Sequence, residues 1–202
     1  MIKKLIEKFV KKFIKKTAKV KVNYTAFNLN PKIKRTDDVM KVVKELAHKY
    51  NNLEDLLVDK MYQLLVKQGV ILSADMKHNL IPTTGFNVLC RRLAGDTTYT
   101  GEVTDWALGS GTTAFTVAST QLNTETERGV VDTSAFDDNI VTIDSFIGAG
   151  DIPDATYEEF GYFIDGDGST PNDGQAWSLL ITGGWVKSGS LFISGQYTFA
   201  NA

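Results

Sequence analysis

The sequence predicts an α+β chain, with N-terminal helices followed by a C-terminal antiparallel β-sandwich, and three observations predict it. Apolar residues recur at spacings of three and four as far as Ala94, then alternate with polar ones from Thr97 onward, the change from a helical to a strand period. Clusters rich in Gly and Asp punctuate only the second part. Charge divides near the same place: residues 1–80 hold 18 Lys plus Arg against 8 Asp plus Glu, and residues 81–202 hold 4 against 16. A net charge of -2 therefore conceals halves of opposite sign, which suit different partners or each other.

Three segments follow from this reading: a basic amphipathic arm and linker over 1–35, a helical hairpin over 36–78, and a sandwich with a leading short helix over 79–202. In the arm, Ile2, Leu5, Ile6, Phe9, Val10, Phe13 and Ile14 form one apolar stripe. Lysines fill the opposite face, nine of them in residues 1–21 against the single acid Glu7. A helix of this length draws most of its stability from burying its stripe, so it needs a partner. An acidic protein groove, an anionic membrane surface and nucleic acid all fit the pattern. The protein groove is favoured, because the chain's other half is acidic. The expected contact residues are those of the stripe together with Lys8, Lys12 and Lys15. Lysines recur too often for a signal peptide, and no apolar run approaches the ~20 residues that span a bilayer.

Val20, Val22 and Tyr24 alternate before Asn28-Leu-Asn-Pro31, which predicts a short extended segment. Thr36-Asp-Asp opens a helix that Asn51-Asn52 breaks, and a further helix runs from Leu53 to Lys67 before Gly69. Thr83 or Thr84 is placed to cap a short helix with Phe86, Leu89, Cys90 and Leu93 toward the core and Gly95 as its stop. Cys90, the sole cysteine, excludes an internal disulfide and reads as a buried thiol. Expected strands are 102–108, 126–134, 139–147, 157–164, 175–182 and 190–200. The last two read as a hairpin about Thr182-Gly-Gly, and Trp106, Phe146, Phe163, Trp177 and Phe199 as one core.

No chemistry-bearing constellation emerges. His48 and His78 lie on separate elements without a second ligand at metal spacing. The acidic loop Asp165–Asp173 resembles a calcium loop, but Thr170 and Ala176 stand where the helix-flanked pattern needs Gly and Glu, and an Asp-Gly turn accounts for it. Gly109-Ser-Gly-Thr-Thr lacks the lysine of a phosphate loop. Glu158-Glu159 and Asp137-Asp138 read as solvated turns and edges, since neighbours on a strand point to opposite faces. The expectation is a non-enzymatic chain with no cofactor and no metal.

The order of several short motifs resembles a β-sandwich family of structural proteins from tailed bacteriophages. It runs from the helix Asn79–Gly95 through Trp106-Ala-Leu-Gly-Ser-Gly-Thr-Thr113, Leu122-Asn-Thr-Glu-Thr-Glu-Arg128 and Tyr157-Glu-Glu-Phe-Gly-Tyr-Phe-Ile164 to a closing strand over Ser190–Ala200, covering about 79–200. Phe160 departs from the family, which has a smaller residue there, so strand pairing at that point is in doubt. The resemblance implies a virion protein of capsid decoration or head-fibre type, or a tail or baseplate component. Its partners would be other virion proteins, with homo-oligomers left open. A glycan- or receptor-binding sandwich is the rival, and it requires Tyr99, Tyr157 or Trp185 grouped on an exposed surface.

Overall fold

A computed structural model describes residues 22–29, 67 and 71–199. The expected helices over 1–21 and 36–66 lie outside the described residues. Among the described residues, nine strands form two antiparallel sheets: β1 (Val22–Leu29), β2 (Ile71–His78), β3 (Val103–Gly109), β4 (Glu125–Val130), β5 (Thr133–Asp137), β6 (Ile140–Ile147), β7 (Ala155–Ile164), β8 (Gln175–Lys187) and β9 (Ser190–Thr198). The five-stranded sheet runs β2-β1-β9-β6-β5 and the four-stranded sheet β4-β3-β7-β8. The described helix is α1 (Thr83–Leu93).

The sandwich begins earlier than the boundary expected at residue 79. The alternating stretch at Val22 is a full strand, β1, set between β2 and β9. Residues 71–78, assigned from sequence to the helical hairpin, are strand β2 at the edge of that sheet. A run of eight residues cannot distinguish a strand from the tail of a helix by period alone; pairing with β1 decides it.

Along the described strands the chain passes between the sheets four times, after β2, β4, β6 and β8, and backbone hydrogen bonds mark the first two passages. Leu80, just after β2, exchanges both backbone hydrogen bonds with Leu179 of β8, at 2.9 Å each. On the other side, the strand expected over 126–134 is divided into β4 and β5. Val131 N–H still bonds Thr104 C=O of the four-stranded sheet, whereas Asp132 N–H bonds Asp144 C=O of the five-stranded one. The chain thus bends from one sheet to the other across Val131 and Asp132, between β4 and β5.

The expected final hairpin is also corrected. β8 pairs with β7, and β9 pairs with β1 and β6, so the turn after Lys187 passes between sheets. Alternation reports which side of a strand is buried, not which strand lies beside it. Thr182-Gly-Gly is an irregularity inside β8 instead, with Tyr157 opposite Trp185 and Glu159 opposite Ile181. Thr182 Oγ donates to Tyr157 C=O and accepts from Gly184 N–H, which satisfies backbone groups at the interruption.

Between the sheets, Trp106, Leu108, Phe160, Tyr162, Trp177, Ile143, Ile193 and Tyr197 form the main core. Buried hydroxyls pair across it, Ser178 with Tyr197 at 2.7 Å and Ser145 with Tyr162 at 3.2 Å. Phe160 sits in regular register opposite both Leu108 and Leu180, and the two irregularities of the β7–β8 pairing fall on either side of it, at Tyr157/Glu159 and at Tyr162/Phe163. The single aromatic core expected from sequence is divided. Phe163 faces the outer side of the four-stranded sheet with Ala107, Leu122, Ala176 and Leu179, Phe146 is half-buried, and Phe199 is partly exposed.

Helix α1 packs on β8 through Gly85 and Val88, its buried residues. A Cβ on Gly85 would lie 2.9 Å from Trp177 C=O, so only glycine permits this approach. The expected core face of Phe86, Cys90 and Leu93 is therefore exposed, and Cys90 is an exposed thiol. Gly85, invisible to a hydrophobic period, selected the buried side together with Val88. Nor do the threonines cap the helix: the N-cap is Pro82, and Thr84 Oγ1 donates to Ala176 C=O. Its end does follow the sequence, since Gly95 has φ +82, Gly95 N–H bonds Arg92 C=O and Asp96 N–H bonds Arg91 C=O, the paired bonds of a left-handed glycine stop.

Candidate functional site

The sequence-predicted contact residues Ile2, Leu5, Ile6, Phe9, Val10, Phe13, Ile14, Lys8, Lys12 and Lys15 lie outside the described residues. Within the sandwich, the notable chemistry is a set of buried charges, two of which sit on the outer side of the four-stranded sheet beneath loops.

Arg128 of β4 is held between two acids. Its Nε and Nη2 donate to Glu125 at 2.7 and 2.8 Å, and its Nη1 donates to Asp105 of β3 at 3.1 Å. All three side chains are almost wholly excluded from water. Burial opposes the charge on Arg128, but the bonds from Glu125 and then Asp105 prevail and raise its pKa. The guanidinium also lies 4.3 Å above the Phe163 ring. Asp105 accepts Gly168 N–H at 2.9 Å and Glu125 accepts Asn172 N–H at 3.1 Å. This triad therefore ties the β7–β8 loop onto the sheet. The Glu-x-x-Arg spacing at 125–128 was visible in the sequence; its buried third member, Asp105, was not.

Glu159 corrects the solvated reading given to it. It is fully buried on β7 and accepts four donors: Gly111 N–H at 3.2 Å, Asn123 N–H at 2.9 Å, Asn123 Nδ2 at 3.0 Å and Thr124 N–H at 2.6 Å. Backbone dipoles from the 109–124 loop thus solvate this carboxylate. Gly109 and Gly111 leave room for it, since a Cβ on either would fall within 2.7 Å of Glu159 Oε1. The Gly-Ser-Gly turn serves to close over a carboxylate. Glu158 beside it is half-buried and Asp137 and Asp138 are exposed.

Lys187 is buried at the end of β8. Its Nζ donates to Ile152 C=O and to Asp154, each at 3.0 Å. Asp154 also accepts Gly189 N–H, and these bonds, Lys187 first, hold its carboxyl below the usual range.

In the 165–173 loop the acid oxygens already have donors. Asp167 accepts Ser169 and Thr170 through both backbone and hydroxyl groups, Asp173 accepts Asp167 N–H, and Asp165 accepts Thr100 N–H and hydroxyl. The Thr170 bonds, then Ser169, lower the Asp167 pKa well below the carboxylate norm. This is the chemistry of a self-capped turn. Among the described residues no cluster of three or more His, Cys, Asp or Glu converges as metal ligands.

The aromatics required by a glycan-binding surface do not assemble on one. Tyr157 and Trp185 are buried in the core, and Tyr99 is partly buried beneath Arg91, 5.4 Å from its guanidinium carbon. The Tyr157 hydroxyl donates to Pro153 C=O at 2.8 Å, and burial pushes its pKa up to about 12.

A groove of about 340 Å³ lies between the sheets beside α1, lined in part by Leu89, Arg92, Glu102, Val141, Ile143, Trp177 and Phe199. No described helix is long and apolar enough to cross a membrane. Comparison with known proteins gave no matching family model, no matching curated protein and no matching solved structure.

Proposed function

We propose that the chain is a non-enzymatic structural subunit of a phage particle, of capsid decoration or head-fibre type, attached through its basic N-terminal arm. The observation that carries this reading over its glycan-binding rival is the burial of Tyr157 and Trp185, which makes them packing residues. The charge networks agree in kind. Arg128, Glu159 and Lys187 each fasten a loop to a sheet, which suits a rigid body displayed on a larger assembly. Division of charge between the halves supplies the attachment logic: the arm's apolar stripe contributes affinity, and its lysines contribute register and salt dependence.

The test is deletion of residues 1–21, followed by particle assembly and mass spectrometry of purified particles. A folded truncation that no longer joins the particle is the expected result; normal incorporation refutes attachment through the arm. Copy number in particles of the full chain then separates positions, since hundreds of copies indicate a capsid protein and a dozen or fewer a tail or baseplate component. Flotation with anionic liposomes at physiological salt addresses the membrane-surface reading, for which strong binding would speak.

A further inference from the structure

Between the sheets, the Tyr162 and Tyr197 hydroxyls pair with Ser145 and Ser178, and the Trp106 indole N–H donates to Val130 C=O at 3.0 Å. Trp177 departs from this pattern. It is 7% exposed, its indole N–H is enclosed, and that N–H has no acceptor. A buried tryptophan N–H ordinarily finds a partner, because leaving it without one forfeits its hydration for nothing in return.

Trp177 lines the groove beside α1, and Gly85 sets how its ring lies there. A Cβ on Gly85 would come within 3.1 Å of Trp177 Cε3, so that long edge of the indole is against the helix. Nε1 is on the opposite long edge and is turned away from Gly85. Burial within the groove is graded. Val103, Ile143, Ile164 and Trp177 are buried lining residues, whereas the charged lining residues Arg92 and Glu102 are exposed. Among the described lining residues these are one cation and one anion, so an ion that entered would lose water without meeting an excess of opposite charge. At about 340 Å³ the groove is at the small end of ligand pockets.

We propose that this groove is a binding site for a small uncharged molecule with an apolar body and one acceptor oxygen of the ketone, ester or ether kind, which the Trp177 indole N–H receives. Apolar contact supplies the affinity. The N–H supplies the choice among apolar molecules, since an alkane would leave it unpaired. The site uses no residue of the N-terminal arm, so it stands or falls independently of the attachment reading.

Methyl hexyl ketone is the probe, titrated into the full chain and followed at the indole N–H signals by proton–nitrogen correlation NMR. Trp177→Phe assigns the Trp177 signal by its loss. The expected result is a saturable downfield shift of that signal, while Trp106, already bonded to Val130, stays in place. In Trp177→Phe the affinity, read at the Val141 and Ile143 methyl signals, should fall about fivefold, the worth of one hydrogen bond. An unmoved Trp177 signal up to the solubility limit of the ketone overturns the proposal. So does an unsaturable shift shared by all three indoles, which is partition onto the surface. Val141→Phe narrows the groove from the five-stranded sheet and should abolish the saturable shift in a protein whose methyl spectrum shows it folded; a shift that persists places the probe elsewhere and overturns the site. Octanoate and octylammonium should each bind more weakly than the ketone, and equal or tighter binding of either overturns the assignment to an uncharged ligand. The wild-type titrations decide the matter by themselves if a variant fails to fold.

Discussion

Glu159→Gln changes a single atom type at the most completely enclosed carboxylate described above, and its cost can be worked from the geometry. In the native site Oε1 accepts Gly111 and Thr124 N–H, and Oε2 accepts both Asn123 donors. Glutamine keeps one of these oxygens and replaces the other with an NH2 group that faces donors. Two N–H groups lose their acceptor, at about 1–3 kcal/mol each, and the remaining bonds lose their charge assistance. Rotation of the Asn123 amide brings no net gain, because its Nδ2 also donates to Thr113 C=O at 2.9 Å, so the net loss should be about 3 kcal/mol. For a chain of this size that lowers Tm by about 6–12 °C. Urea denaturation and thermal melts measure the stability, and hydrogen exchange at Asn123 and Thr124 reports whether the loop has lifted. Glu158→Gln, at the half-buried neighbour, is the control and should stay within about 0.5 kcal/mol of wild type. A loss below about 1 kcal/mol for Glu159→Gln, with both amides still protected, would refute the role assigned to this carboxylate.

Arg128→Met leaves Asp105 and Glu125 buried without a cation and should cost about 3–5 kcal/mol by urea denaturation, with faster hydrogen exchange at Gly168 and Asn172. Gly85→Ala drives a methyl group against Trp177 C=O and should cost about 1–3 kcal/mol, read as a lower Tm. Cys90 should react with a maleimide in the native protein as fast as in urea; reaction only after unfolding would return it to the core. Asp154 has a depressed pKa, so the stability it contributes is present above the ordinary value of 3.8 and is lost as pH falls through the lower folded value. Thermal melts in acid should show this dependence in wild type and lose that component in Asp154→Asn.

Local rules carried the strands well. β3, β6, β7 and β9 stand within about two residues of their expected bounds, because alternation and Gly or Asp turns act over a few neighbours. The glycine stop of α1 at Gly95 was legible for the same reason. Pairing was not local. The sequence could not say that β8 and β9 lie in different sheets, that one extended run divides at Val131 and Asp132, or that residues 22–29 and 71–78 complete a sheet with residues 190–198. Those outcomes depend on which edges meet, and a period carries no partner.

By itself, then, the sequence determined the antiparallel strands of a two-sheet body and an N-terminal part of opposite charge, both properties of neighbouring residues. Tertiary structure alone decided the fate of individual side chains. Glu158 and Glu159 are adjacent and chemically identical, yet the second is enclosed by four N–H donors brought from positions 111, 123 and 124. Cys90 sits amid apolar neighbours, yet it faces water because the smallest residue of the helix, Gly85, made the closest contact with β8. In both cases burial followed from distant chain segments closing on a residue, and those segments are placed by the fold as a whole.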